Sequence, residues 1–317
     1  MKVVILGKGD MFLNLIEGTL DAECNIVGVF RYDYVWMPTW KRLLNDVFNP
    51  SKELTLIKQY KLHEIKCKSA NSEKFRKEIL KLNADVILVG SWGEKLKKEI
   101  IDLPVIASVN VHPSFLPKYR GPNPYIQAIF HGEKYSGVSF HLMNENFDDG
   151  AILSQKRIQI LPGDTSKELK ERTVYQSRIL CAELLKKLEY GIVIPVQQNK
   201  NDASYFKNID DNFKMLDFKT ETAAQICAKI RSLHPWLPSY AAYKNKFFIP
   251  DPYKLAIVEV PKLNKNYKPG DIVDTDYKLN SITVVSCDYK AVKMTNVKLY
   301  GFFSKPFTNI YIKNIKI

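Results

Sequence analysis

The chain has 317 residues, 45% of them hydrophobic and 12% aromatic, and a formal net charge of +13. That length buries a sizeable core and suits two domains, while no apolar run approaches the length of a membrane span and no signal peptide is expected. Five scattered cysteines, Cys24, Cys67, Cys181, Cys227 and Cys287, form no Cys-x-x-Cys pair, which argues against structural zinc or a disulfide framework and for a reduced, cytoplasmic chain.

In chain order, an apolar run at 2–6 reads as a strand opening into Gly7, Lys8, Gly9 and Asp10. A second strand follows at 25–30, a helix at 73–82 and a third strand at 85–89. This alternation predicts an α/β fold with a doubly wound, mainly parallel sheet. Gly7 and Gly9 invite a dinucleotide reading. However, Phe12 stands where a third glycine belongs, and Val29, Phe30 and Arg31 offer no acid to a ribose.

The run 105–109 suits a buried strand, which puts Asn110 and His112 at its carboxyl end, where open α/β sheets bind ligands. Side chains i and i+2 share one face of a strand, so these two project together while Val111 points away. A Pro- and Gly-containing loop follows, Pro113 to Pro122. A further strand at 137–143 then returns the chain towards Asp148, 36 residues beyond His112. A carboxylate on one ring nitrogen fixes the tautomer, raises the His112 pKa and leaves the other nitrogen for proton transfer. The Asn110 amide can donate to an oxyanion. Separately these are an ordinary turn amide, a surface histidine and a solvated Asp148, Asp149, Gly150 turn; together they describe acyl transfer. His131 and His141 have no partner in this pattern and are expected at a helix end and on a strand surface. No cluster has metal-ligand spacing, so no metal is expected.

Asn110 and His112, the loop Pro113, Ser114, Phe115, Leu116, Pro117, Lys118, Tyr119, Arg120, Gly121 and Pro122, the strand Gly137 to Met143, and Asp148 to Leu153 together resemble the 10-formyltetrahydrofolate-dependent formyltransferases. The resemblance implies the formyltransferase fold, 10-formyltetrahydrofolate as formyl donor, and a catalytic triad of Asn110, His112 and Asp148. In that triad, Asn110 and protonated His112 stabilise the oxyanion, and Asp148 holds His112 and helps move the proton leaving the amine. It further implies a folate pocket formed by Ser91, Trp92, Gly93 and Leu96, closed by the segment containing Asn144 and Phe147. Acceptor contacts are implied for Ser114, Leu116, Pro117, Tyr119, Arg120 and Gly121; Arg120 either grips the acceptor or ties down its own loop.

Thr165 and Glu168 have capping-box spacing at the start of a helix that ends near Tyr190 and Gly191, and the polar stretch 195–202 then marks a boundary. The expected domains are a catalytic one at 1–200 and a small, mostly-β, OB-like one at 205–317. The latter holds a helix at 222–233 and short strands at 246–248, 255–260, 271–274, 281–286 and 291–297. The run from Arg231 through His234, Pro235 and Trp236 resembles the start of the carboxy-terminal module of methionyl-tRNA formyltransferases. Residues 201–317 hold 18 Lys and Arg against 11 Asp and Glu. Lys262, Lys265, Lys268, Lys290, Lys293 and Lys298, with Tyr267 and Tyr289, are candidate nucleic-acid contacts, or simply a solvated surface.

The resemblance therefore points first to the α-amino group of initiator methionyl-tRNA as acceptor and to a role in translation initiation. Residues 31–54 depart from it, because they carry Tyr32, Tyr34, Trp36 and Trp40 with few positive charges where the tRNA enzymes usually hold a basic insertion. Those aromatics suit the alternative, a nucleotide-linked amino sugar. Glycinamide ribonucleotide formylation and a deformylase fit the layout less well, the latter needing a domain ahead of the first strand. An idle RNA-binding protein is disfavoured by the intact triad. No membrane or protein partner is expected.

Overall fold

The structure, a computed structural model, describes residues 1–260, 266–301 and 307–315; Lys262 and Lys265 lie outside the described residues. The chain forms two compact units, one of Met1–Pro124, Tyr135–Gln159 and Lys170–Phe206, the other of Tyr125–Lys134, Ile160–Leu169 and Lys207–Ile317.

The first unit is built on β1 (Lys2–Gly7), α1 (Gly9–Asp21), β2 (Asn25–Arg31), α2 (Asp33–Trp36), α3 (Thr39–Phe48), α4 (Lys52–Gln59), α5 (Glu73–Leu82), β3 (Val86–Gly90), α6 (Lys98–Ile101) and β4 (Ala107–His112). Then come α7 (Pro124–Phe130), which starts at the edge of this unit, β5 (Tyr135–Leu142), β6 (Ile152–Gln159) and α8 (Ser166–Glu189). The sheet order is β2-β1-β3-β4-β5-β6. Its first four strands are parallel, and β5 and β6 return antiparallel. Val3, Val4, Ile5 and Leu6 are all fully buried, as expected of a parallel strand covered on both faces. Helix α5 begins at Ser72, whose Oγ accepts the Phe75 N–H at 3.2 Å, and ends on Asn83 in the left-handed region. Its Phe75 and Ile79, one turn apart, enter a core with Phe30, Ile87 and Val89.

One local expectation changes. Strand β4 begins at Ala107 because Val105 and Ile106 remain exposed, so Asn110 and His112 lie within its last three residues. Residues 31–54 fold into three helices, and α3 buries none of its residues. The buried Arg31 anchors α3 instead. It donates to both carboxylate oxygens of Asp46 at 3.1 Å and to Glu64 at 2.5 Å, and Tyr34 donates to Glu64 at 3.0 Å.

In the second unit, at the start of α8, the Glu168 carboxylate accepts from both the N–H and the hydroxyl of Thr165, and the Thr165 hydroxyl oxygen accepts the Lys167 N–H. A capping box of Thr222 and Gln225 starts α9 (Ala223–Leu233). The strands are β7 (Ala241–Tyr243), β8 (Lys246–Ile249), β9 (Leu255–Glu259), β10 (Ile272–Asp276), β11 (Ser281–Val285), β12 (Lys290–Met294) and β13 (Lys298–Leu299), followed by α10 (Thr308–Lys313). They make two sheets, β10-β11-β12-β9 and β13-β8-β7, around Ile226, Ile230, Phe248, Val284, Val292 and Leu299. The mostly-β domain is thus present, with two strands more among the described residues than the five expected, since β7 and β13, of three and two residues, are too short to show a period. Lys290 and Lys293 are three apart on β12 and project to opposite faces, so they form no single basic stripe.

Candidate active site

Strand pairing assembles the site from positions distant in sequence. Asn110 on β4 lies opposite His141 on the antiparallel β5, and the turn after β5 carries Asp148 back to β4. His112 Nδ1 lies 3.4 Å from Asp148 Oδ1, and Asn110 Nδ2 donates to the same oxygen at 3.3 Å. The other Asp148 oxygen accepts the Gly121 N–H at 2.9 Å. The three residues singled out for catalysis therefore converge, with the His112 side chain buried and Asp148 nearly so.

Two expectations about the histidines are corrected. Nε2 of His112 is not left open: it lies 2.8 Å from the carbonyl oxygen of Tyr119, which only accepts, so Nε2 carries the proton and Nδ1 is the nitrogen available for chemistry. His141 is not on the surface but 2% exposed, and it belongs to the site. Its Nδ1 lies 2.8 Å from the Leu142 carbonyl and must donate there, leaving Nε2 to accept from Asn110 Nδ2 at 3.1 Å. Both amide protons of Asn110 are thus engaged, and stabilising an oxyanion means exchanging one of these partners for substrate. His131 does sit just past the end of α7, with its ring bonded to the Gln127 carbonyl at 2.8 Å.

Burial lowers the His112 pKa below the ordinary imidazole range, partly offset by Asp148 and by the Tyr119 carbonyl. Burial works in the opposite sense on Asp148, but the facing His112, the His141 ring and the Gly121 N–H outweigh it and hold the carboxyl at about 2. The pair is therefore a neutral imidazole beside an ionised carboxylate near pH 7, poised to take a proton and to stabilise the resulting imidazolium.

The surrounding loop is held tightly. Gly121 has φ +90°, and a Cβ there would lie 2.4 Å from the Phe206 carbonyl; at Gly150 a Cβ would lie 1.8 Å from the Leu142 carbonyl. Only glycine permits either approach. The side chains of Ser114, Leu116 and Tyr119 are buried. Ser114 donates to the Lys118 carbonyl at 2.7 Å, and Tyr119 stacks on Phe206 at 5.3 Å. Pro117 is half-buried and joined to Leu116 by a cis peptide bond. Of the two roles open to Arg120, the contacts match loop tying: the guanidinium meets Asp149 at 2.6 Å and Gln198 at 2.7 and 3.1 Å.

On the other side of β4, Ser91 is exposed with φ 55°, and Trp92 packs on Phe30 and Tyr32 with its Nε1 buried and unpaired. Gly93 adjoins the Tyr32 hydroxyl, and Leu96 is buried in the core. Asn144 and Phe147 are exposed. Gln198 had no distinguishing signal in the sequence, falling in a polar stretch read as a boundary.

Residues 1–185 match the family model described as formyl transferase, and residues 208–301 match the formyl transferase C-terminal domain. The chain belongs to the formyltransferase family. It is 33% identical over 303 residues to a methionyl-tRNA formyltransferase of Caldanaerobacter subterraneus, covering 95% of this chain and 93% of the relative. Identity to the methionyl-tRNA formyltransferase of Staphylococcus aureus is 27%, covering 95% and 92%. Among solved structures, an N-formyltransferase from Helicobacter canadensis in complex with folinic acid and dTDP-3-aminofucose shares the fold. Its TM-score is 0.67 at 18% identity, covering 95% of this chain and 100% of that one. As a formyltransferase the chain is an enzyme, and the helices of its described residues include none long and apolar enough to cross a membrane.

Proposed function

We propose that this formyltransferase takes its formyl group from 10-formyltetrahydrofolate and delivers it to the α-amino group of methionyl-tRNA. The observation that carries the reading is the convergence of Asn110, His112 and Asp148 within 3.4 Å, in a chain alike over 95% of its length to a methionyl-tRNA formyltransferase. The amine lone pair attacks the formyl carbon, and the new C–N bond forms as the carbonyl electrons move onto oxygen. Collapse of that intermediate breaks the bond to N10 of the folate, so tetrahydrofolate leaves. His112 Nδ1 takes the amine proton and passes it to N10, while ionised Asp148 stabilises the imidazolium between the two transfers. Asn110 gives one N–H to the oxyanion.

The partnerless, buried Nε1 of Trp92 supports a polar ligand edge beside Trp92 and Gly93, with Ser91, Asn144 and Phe147 around it. Leu96 contributes through the core beneath. The loop of Ser114, Leu116, Pro117, Tyr119, Arg120 and Gly121 then faces the acceptor through its backbone. We assign catalysis to residues 1–200 and acceptor binding to 205–317. The five free cysteines support a cytoplasmic setting.

A nucleotide-linked amino sugar is the second reading. Its support is the apolar face around α3, where Trp36 is 55% and Trp40 66% exposed in place of a basic insertion. A transfer assay with 10-formyltetrahydrofolate, run in parallel on charged initiator tRNA and on nucleotide-linked amino sugars, tests both. Turnover on the tRNA is expected, falling steeply with salt. Turnover on a sugar alone overturns the acceptor, and none on either overturns the reaction.

A further inference from the structure

We infer that Gln198 is a positioning residue for Asp148, and through it for His112, so that the segment leading out of the catalytic unit is part of the site it leaves. The Gln198 side chain is 9% exposed and fully bonded. Its Nε2 donates to the carbonyl oxygens of Asp148 at 2.9 Å and Gly150 at 2.8 Å. Its Oε1 accepts from Arg120 Nη2 at 2.7 Å and Nε at 3.1 Å. Carbonyls only accept and a guanidinium only donates, so one amide orientation satisfies all four contacts and the flipped one satisfies none.

Those contacts brace the Asp148 turn from outside it. Asp148 sits at φ 55°, a left-handed conformation costly for a residue with a Cβ unless its surroundings impose it. Gln198 pins the Asp148 carbonyl from one side, and through Arg120 it reaches Asp149 and the loop whose Gly121 N–H grips the carboxylate. The same segment strengthens the loop six residues later. Ser204 Oγ accepts the Tyr119 N–H at 2.9 Å and its carbonyl accepts the Arg120 N–H at 2.9 Å, beside the Tyr119 carbonyl that anchors His112. A side chain that touches no reacting atom thus sets where the carboxylate stands.

The test uses the full chain with Gln198→Met, which keeps length but no hydrogen bonds, and Gln198→Glu, which keeps an oxygen for Arg120 but turns an acceptor onto two carbonyls. The kinetic readout rests on the formyl-transfer reading, so a second readout is independent of it: the titration of His112 followed by nitrogen-15 NMR. The charged or titratable groups around that ring are Asp148, His141 and Arg120. In both variants kcat is expected to fall roughly 10- to 100-fold with the KM for folate within about twofold. The His112 midpoint is expected to move to lower pH as Asp148 is displaced. A folded Gln198→Met or Gln198→Glu protein with an unchanged His112 midpoint and unchanged kcat, and only a lower Tm, overturns the inference. If the parent chain transfers no formyl group yet the midpoint still moves, the positioning role stands and the reaction assigned to the site falls.

Discussion

His112 donates its Nε2–H to the carbonyl of Tyr119 across 2.8 Å, from a strand to a loop residue seven positions later. That bond decides which nitrogen works. With Nε2 engaged, proton transfer runs through Nδ1, the nitrogen that also faces Asp148, so substrate and carboxylate share one edge of the ring.

The acid limb of kcat/KM should therefore report His112 and lie below the ordinary imidazole value of 6.5, because burial favours the neutral ring. Asp148 stays ionised throughout, being held at about 2. For folding the signs agree. Both pKa values are depressed, so the native state binds these protons less readily than the unfolded chain. The stabilisation from His112 is full above the imidazole range and is lost as pH falls through its lowered value; that from Asp148 is lost between about 4 and 2. Asp148→Asn should carry the acid limb lower still. A pH–rate profile with its acid midpoint above the imidazole range would count against a buried neutral base.

His112→Ala and Asp148→Ala should each lower kcat by several orders of magnitude, as groups acting as one unit do. His112→Ala should also cost about 1–3 kcal/mol of stability, because the Tyr119 carbonyl loses its donor in a buried place. Single-turnover kinetics and denaturant unfolding separate the two effects; near-normal turnover in either variant removes the triad assignment.

Asn110→Ala should cost about 3 kcal/mol of transition-state stabilisation, a 10²- to 10³-fold loss in kcat. His141→Leu removes the acceptor that orients the amide, together with the ring beside Asp148 and the donor to the Leu142 carbonyl, and should cost less in kcat than Asn110→Ala, about 1 kcal/mol or five- to tenfold. Equal losses in the two variants would mean that His141 itself reaches the substrate.

Deleting residues 205–317 should not release a folded catalytic half. The cut takes Phe206 from its stack on Tyr119 and removes most of the unit to which Tyr125–Lys134 and Ile160–Leu169 belong. Loss of a cooperative thermal transition is expected. A soluble fragment that still binds folate and melts as one would contradict this.

Much of the scaffold was legible because it is local. Apolar runs such as Val3 to Leu6 and Val86 to Val89 announce buried strands, and helices are read at 73–82 and, from the spacing of Ala223, Ile226, Ile230 and Leu233, at 222–233, each governed by periodicity within a few residues. The short strands Ala241–Tyr243 and Lys298–Leu299 were not legible, since two or three residues carry no period. The helix Thr39–Phe48 does carry a helical apolar pattern at Trp40, Leu43, Leu44 and Val47, but that face stays exposed, and it is the buried Arg31, through Asp46, that anchors it.

The sequence by itself determined the chemistry on offer: an amide and an imidazole two residues apart on one strand face, and a carboxylate on a Gly-containing turn, within a formyltransferase pattern. Only the tertiary structure decided how that chemistry is wired. Antiparallel register set His141 opposite Asn110, the loop's return put the Tyr119 carbonyl on Nε2, and the departing chain laid Gln198 across the Asp148 turn. Side-chain direction follows from neighbours along the chain, whereas a hydrogen-bond partner 31 or 50 residues away depends on where the sheet and the loops bring the backbone back.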